Sequence, residues 1–343
     1  MKIVIDAMGG DNAPQEIVKG ALMAAKEFGV HIILTGDGDT ILRVTESMGH
    51  RELPEGVEIA HAPEVVTMED DPAMAVRVKP ESSMAVGLQL VAEGSADAMV
   101  SAGNTGALLT GATLIVRRIR GVRRACLAPY FPNASGGGTL VADCGANVEC
   151  KPEYLLQFAY MGSYYMESVM GVPDPRIGLL NIGTEETKGT ELQKESYKLL
   201  VNARDKGDLN FIGNVEARDT MTGVCDVLVC DGYAGNILLK AVEGTGRYLL
   251  SSLKDIFKKN LKTKLAAALV MNDVKEMKKL IDPSEVGGTA LLGISSPVIK
   301  AHGSSNAYAI RSAVKQAITT VNAGVCADIQ DNVRRMKAQG QEA

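Results

Sequence analysis

A chain of 343 residues, 46% hydrophobic and 22% charged, carries enough apolar surface for one large α/β domain or two modest ones, which excludes a disordered protein. Its net charge of −5 and lack of Trp argue against a general nucleic-acid binder, which would show basic patches and stacking aromatics. Its six cysteines form no Cys-x-x-Cys pair and its histidines number four, so the expectation is reduced core thiols and no metal centre. Asp6 interrupts the N-terminal apolar run, and no stretch reaches the roughly 18 apolar residues of a membrane span, so a cytoplasmic location is expected.

In chain order, one unit recurs: a short apolar run ends in a polar residue, a glycine turn follows, and a helical pattern begins. Lys2–Asp6 leads into Met8-Gly9-Gly10, and Pro14 suits a first helical position with Asn12 or Ala13 near the cap. Ala96–Ser101 leads into Ala102-Gly103-Asn104-Thr105-Gly106. Thr139–Asp143 leads into Cys144-Gly145-Ala146-Asn147, and Pro152 opens a helix through Met166. Arg176–Ile182 leads into Gly183-Thr184-Glu185-Glu186-Thr187-Lys188-Gly189. Asp226–Cys230 leads into Asp231-Gly232-Tyr233-Ala234-Gly235-Asn236. Strands such as Ile3-Val4-Ile5 have no wet face, the pattern of a parallel sheet covered by helices on both sides. The turns then lie on one sheet edge, where α/β folds bind ligands.

Residues 245–285 stand apart as a projecting basic amphipathic helical pair within a single domain spanning 1–343. From Leu249 to Leu280 the net charge is +5, and Leu249, Leu253, Ile256, Phe257, Leu261 and Leu265 recur at helical spacing. Leu261, Leu265, Leu269, Val270 and Met271 form an apolar tip, and Asn272-Asp273 or the residues just before it are expected to turn the chain into a second helix, Val274–Ile281. Such an element suits either dimer packing or contact with an anionic membrane surface.

No Gly-x-Ser-x-Gly elbow, Walker loop or Gly-x-Gly-x-x-Gly fingerprint is present. What remains is free amides at helix starts, which attract anions, and small polar side chains. Lys188 offers a compact point charge in its turn, Asn236 follows Gly235 where a helix begins, and Lys300-Ala-His302-Gly-Ser304-Ser-Asn306 ends in helix-start chemistry.

The stretches IDAMGGDNAP, SAGNTGALL, DCGAN, NIGTEETKG, CDGYAGNILLK and KAHGSSN together resemble the bacterial phosphate acyltransferases of phospholipid synthesis, from residue 1 to about 325. The resemblance implies a Rossmann-like, mostly parallel sheet of the isocitrate and isopropylmalate dehydrogenase kind, a homodimer, and a helical projection resting peripherally on the membrane. It implies attack of inorganic phosphate on the thioester of a long-chain acyl carrier protein, with no cofactor. The acyl phosphate would pass to a membrane glycerol-phosphate acyltransferase. Lys188 and Asn236 match the family's catalytic residues. Asp6, Gly9, Gly10, Asn104, Thr105, Gly106, Asn147, Thr184, Gly235, His302 and Ser304 are the expected phosphate or thioester contacts. Two alternatives remain open: a nicotinamide-dependent dehydrogenase using a metal held by Asp6, Asp143 and Asp231, and a non-catalytic module that binds acyl carrier protein.

Overall fold

The computed structural model describes residues 1–281 and 287–336, and of 275–281 the backbone alone. Lys2–Asp6 (β1) pairs in parallel with His31–Gly36 (β2), which pairs with Val57–His61 (β3). On its other side β1 pairs with Ala98–Ser101 (β4). Cys126–Ala128 (β5) ends the first sheet, and Tyr130–Pro132 (β6) starts the second. The second sheet adds Gly138–Ala142 (β7), Ile177–Asn181 (β8), Phe211–Glu216 (β9) and Val227–Val229 (β10). The chain then returns to the first through Thr289–Leu292 (β11) and Val298–Lys300 (β12). Among the described residues the orders are β3-β2-β1-β4-β12-β11-β5 and β6-β7-β10-β8-β9. Among the described strands, parallel pairing is broken at β11 and at β6, which run antiparallel to their neighbours.

The helices are Gln15–Phe28 (α1), Gly38–Ser47 (α2), Ala75–Val78 (α3), Ser83–Ala92 (α4), Thr105–Gly111 (α5), Pro152–Ser168 (α6), Glu191–Asp205 (α7), Gly232–Lys258 (α8), Leu261–Ile281 (α9), Ala307–Ala323 (α10) and Val325–Asp331 (α11). They cover both faces of the sheets. Along β1, Ile3 and Ile5 pack with Ile17 and Val18 of α1, while Val4 packs with Met84 and Leu88 of α4. In α1 the buried positions Ile17, Val18, Ala21 and Ala24 form one stripe, and Gly29 ends the helix in the left-handed region (φ 63°).

Several expectations shift. The strands are one or two residues shorter than their apolar runs at most ends, and α6 runs two residues past Met166. The five glycine turns divide between two sheets instead of sharing one edge: those after β1 and β4 lie on the first, those after β7, β8 and β10 on the second. The sequence hides this because the strands that separate the sheets, β5 and β6, are three residues each. The sheets stay coupled, since Leu127 N–H donates to Asp143 Oδ1 at 2.9 Å and Cys144 N–H to the Leu127 carbonyl at 2.9 Å. Pro14 sits at the cap of α1, one residue earlier than expected, and the Asn12 side chain bonds the Ser304 carbonyl instead of capping the helix.

The helical pair breaks at Lys259–Asn260 and not at Asn272–Asp273. The cause is a reciprocal cap: Thr263 N–H donates to Asn260 Oδ1 (3.0 Å) and Asn260 N–H to Thr263 Oγ1 (3.1 Å). The second helix therefore runs from Leu261 straight through Asp273. Leu261, Leu265 and Leu269 are exposed on it, with Leu269 87% accessible, and Val270 and Met271 are exposed beside them. Residues 282–285 of the expected projection lie outside the described residues.

Candidate active site

At the first sheet, β1 connects to β2 on one side while β4 lies on the other, so a crevice opens between β1 and β4. Asp6 closes its floor. It is 1% exposed, and its Oδ2 accepts from Ser101 Oγ (2.7 Å) while Oδ1 accepts from Met8 N–H (3.3 Å). Ser101 Oγ in turn accepts from Gly103 N–H (3.1 Å). Burial pushes the Asp6 carboxyl up, and hydrogen bonds from Ser83, Ser101, Met8 and Gly9 oppose that. A Cβ on Gly9 would overlap Asp6 Oδ2, and Gly10 holds φ +113° with Ala102 Cβ 3.0 Å from where its own would be. Only glycines let these two turns lie against each other.

Asn104 caps α5: Oδ1 accepts from Ala107 N–H (3.1 Å), and Nδ2 donates to the Thr67 carbonyl (3.3 Å). Thr105 is exposed at the helix start, and Gly106 lies under Pro72. The loop after β12 completes the crevice. Asp11 N–H donates to the Gly303 carbonyl (2.8 Å), and Asn12 Nδ2 donates to the carbonyls of Ser304 (3.1 Å) and Ser305 (3.2 Å). Ser304 N–H donates to His302 Nδ1 (3.2 Å), with Ser304 Oγ 2.9 Å from the same nitrogen, which puts the neutral ring's proton on Nε2. Burial holds His302 below the usual histidine range.

Lys300 was not singled out by sequence reasoning. Its Nζ donates to the Ala102 carbonyl (3.3 Å) and to the Ala301 carbonyl. It is 8% exposed, and burial pulls it down to about 8 against the upward pull of Asp6 and Asp11. The signal available was a lysine ending an apolar strand, directly before the Ala301-His302-Gly303 turn.

At the second sheet, Asp143 is fully buried and organises the turn after β7. It accepts from Leu127 N–H, Ala146 N–H (3.2 Å), Asn147 N–H (2.7 Å) and Asn147 Nδ2 (3.0 Å). Asn147 Nδ2 also donates to the Ala125 carbonyl (2.8 Å), and the Asn147 carbonyl accepts from Gly232 N–H (2.8 Å). Asp231 caps α8 by accepting from Ala234 N–H (2.9 Å). A Cβ on Gly235 would overlap the Asp143 carbonyl, so this helix start is seated directly on the Asp143 turn. Asn236 is exposed, beside the open Gly145, whose added Cβ would stand 3.6 Å from Asn236 Cγ.

Lys188 lies in the turn after β8, the strand beside β10. Asn181 Nδ2 holds its carbonyl (3.2 Å), and its own N–H donates to the Glu185 carbonyl (3.1 Å). Its side chain and that of Thr184 are exposed. Among the described residues Lys188 has no ion-pair partner, and no hydrogen bond joins it to Asn236.

Helix α8 links the two edges. Lys240 and Glu243 stand four and seven residues after Asn236, on one helix face. Lys240 Nζ donates to Glu243 Oε2 (2.9 Å), and both charges act on His302 of the first edge. The i, i+4, i+7 spacing from Asn236 was the available signal for this pair. Asp6, Asp143 and Asp231 do not gather, and among the described residues no group of three or more His, Cys, Asp or Glu is placed to hold a metal ion.

Glycine turns and helix starts at parallel strand ends are the architecture of an α/β enzyme. Residues 1–328 match the family described as fatty acid synthesis protein, and the chain belongs to that family. Its relatives include the phosphate acyltransferase of Clostridioides difficile strain 630, 47% identical over 98% of this chain and 97% of that one. In fold it is similar to a phosphotransacetylase from Streptococcus pyogenes (TM-score 0.63, 18% identity, 94% of both chains). It is also similar to a branched-chain phosphotransacylase from Enterococcus faecalis V583 (TM-score 0.58, 15% identity, 94% of this chain and 99% of that one). The Rossmann-like α/β expectation holds, and the dehydrogenase alternative is not favoured.

Proposed function

We propose that this chain transfers a long-chain fatty acyl group from the thioester of acyl carrier protein to inorganic phosphate. The observation that carries the reading is α8: its start is seated on the Asp143 turn, which sets Asn236 there, and its Lys240 and Glu243 lie within electrostatic reach of His302 at the other edge. Kinship with proteins named phosphate acyltransferase supports the same reaction.

A phosphate oxygen attacks the thioester carbonyl carbon and a tetrahedral oxyanion forms. The C–S bond then breaks, giving acyl phosphate and a carrier thiolate that takes up one proton. Phosphate is already a nucleophile, so the protein's task is positioning and charge stabilisation. The Lys188 ammonium neutralises phosphate and oxyanion charge, and the Asn236 amide donates a hydrogen bond to the thioester oxygen. Gly9, Gly10, Thr105, Gly106, Thr184, Gly235, His302 and Ser304 contribute contacts to phosphate or thioester. Asp6, Asn104 and Asn147 act by holding their turns, since their side chains already bond neighbouring groups.

The exposed leucines of α9 and the lysines beside them rest on an anionic membrane surface, where the amphiphilic product reaches a membrane glycerol-phosphate acyltransferase. The working unit is a homodimer, which light scattering tests. The reaction is tested with purified protein and long-chain acyl carrier protein, measuring free thiol with and without phosphate. Thiol release must depend on phosphate, and release that ignores phosphate refutes the reading.

A further inference from the structure

The proposed reaction leaves one strongly charged feature unused. Arg117, Arg118, Arg120, Arg123 and Arg124 crowd into eight residues that contain no Asp or Glu, in a chain whose net charge is −5. The segment is a rigid ridge. Ile119 and Val122 are buried and plug it into the protein. Ile119 N–H donates to the Gly293 carbonyl (3.0 Å), and Ser295 N–H donates to the Arg117 carbonyl (3.0 Å). Gln157 clamps the far end, donating through Nε2 to the Gly121 carbonyl (3.1 Å) and accepting from Arg123 N–H (2.8 Å). The Arg124 guanidinium lies over the Tyr154 ring, 5.6 Å from its centroid. Arg117 and Arg120 are exposed, with no carboxylate partner among the described residues.

The ridge is hooked to the candidate site. The residue after Arg124 is Ala125, whose carbonyl holds Asn147 Nδ2, and the Asn147 carbonyl holds Gly232 N–H at the start of the helix that carries Asn236. From this juxtaposition we infer that the Arg117–Arg124 ridge is the docking face for an acidic surface of the carrier protein that presents the acyl thioester. The inference rests on the acyl carrier donor proposed above.

Charge complementarity decides the occupant. Arginine forks match carboxylates in bidentate geometry, and a fixed ridge of them steers an acidic partner into register. A membrane is the weaker fit, because the apolar residues within the ridge point inward and leave nothing to insert between lipids. The exposed apolar side chains of α9 provide that function elsewhere.

The test is Arg117→Glu with Arg120→Glu, assayed with long-chain acyl carrier protein and with the same acyl group on pantetheine alone. The expected result is a rise of about tenfold or more in KM for the carrier substrate, kcat retained, and a flatter dependence of KM on salt. Phosphate-dependent turnover of acyl-pantetheine stays within twofold, and calorimetric titration with the unacylated carrier shows the same loss of affinity. Arg117→Gln with Arg120→Gln should shift KM the same way by a smaller factor, and carries the test if charge reversal lowers the melting temperature. An unchanged carrier KM overturns the inference, as does an equal loss with both donors. Lost binding to phosphatidylglycerol vesicles with carrier KM intact reassigns the ridge to lipid and also overturns it. A wild-type protein without phosphate-dependent turnover of either donor would instead sink the underlying reaction.

Discussion

Replacing Lys300 with Met should change how stability responds to alkali. In the fold the ammonium is 8% exposed, held by the carbonyls of Ala102 and Ala301. Burial lowers its titration from 10.5 to about 8, although Asp6 and Asp11 pull it upward. Between those two values the unfolded chain binds more protons than the native one, so Lys300 makes stability rise with pH. Its contribution is complete above the unfolded value and is lost as pH falls through about 8. A gap of this size corresponds to an amplitude of order 3 kcal/mol. The assay is urea denaturation of wild type and Lys300→Met from pH 7 to 10.5, taken as a difference to cancel the other lysines and tyrosines. Wild type should gain on the variant steadily above pH 8. A difference that stays constant across the range would refute the placement of a charged Lys300 under the crevice.

Lys188→Ala should keep the fold, because the side chain is exposed, and lose about 10²–10³ in kcat, the usual cost of one oxyanion-stabilising group. Steady-state kinetics within threefold of wild type would remove it from the chemistry. Asn236→Ala should show a smaller loss of kcat by the same measurement. Gly235→Ala pushes a methyl into the Asp143 carbonyl, so the urea midpoint should fall by the equivalent of ~1–3 kcal/mol and activity with it. An unchanged midpoint would show that α8 is not seated on that turn. Leu265→Glu with Leu269→Glu should abolish sedimentation with anionic liposomes at low salt and spare acyl transfer in solution. If the double variant changes oligomeric state instead, the hairpin serves dimer packing.

The parallel strands β1, β4, β7, β8 and β10 were legible because each is an apolar run, and their turns because a polar residue and a glycine follow; β2, β3, β9 and β12 were not read, and β3 and β9 carry polar residues such as Glu58, Asn214 and Glu216 that break the apolar pattern. Pro152 marked its helix start and the structure keeps it there. The division into two sheets was hidden, since the strands that separate them are short and carry no periodicity of their own. Asn260 and Thr263 held the true break of the hairpin, but the leucine spacing runs on past them and masked the cap. Asp143 was visible as a strand end and its role was not: four donors converge on it from residues 127, 146 and 147, which only folding brings together. Lys300 reads in sequence as an ordinary charged residue, and its burial depends on β4 and the Ala102 turn, about 200 positions away.

The central claim is that phosphate is the acyl acceptor. Phosphorus NMR of a reaction with long-chain acyl carrier protein and inorganic phosphate tests it most directly. An acyl phosphate resonance should grow in step with free thiol, mole for mole. Thiol released together with free fatty acid, with all phosphorus remaining inorganic phosphate, would contradict the account.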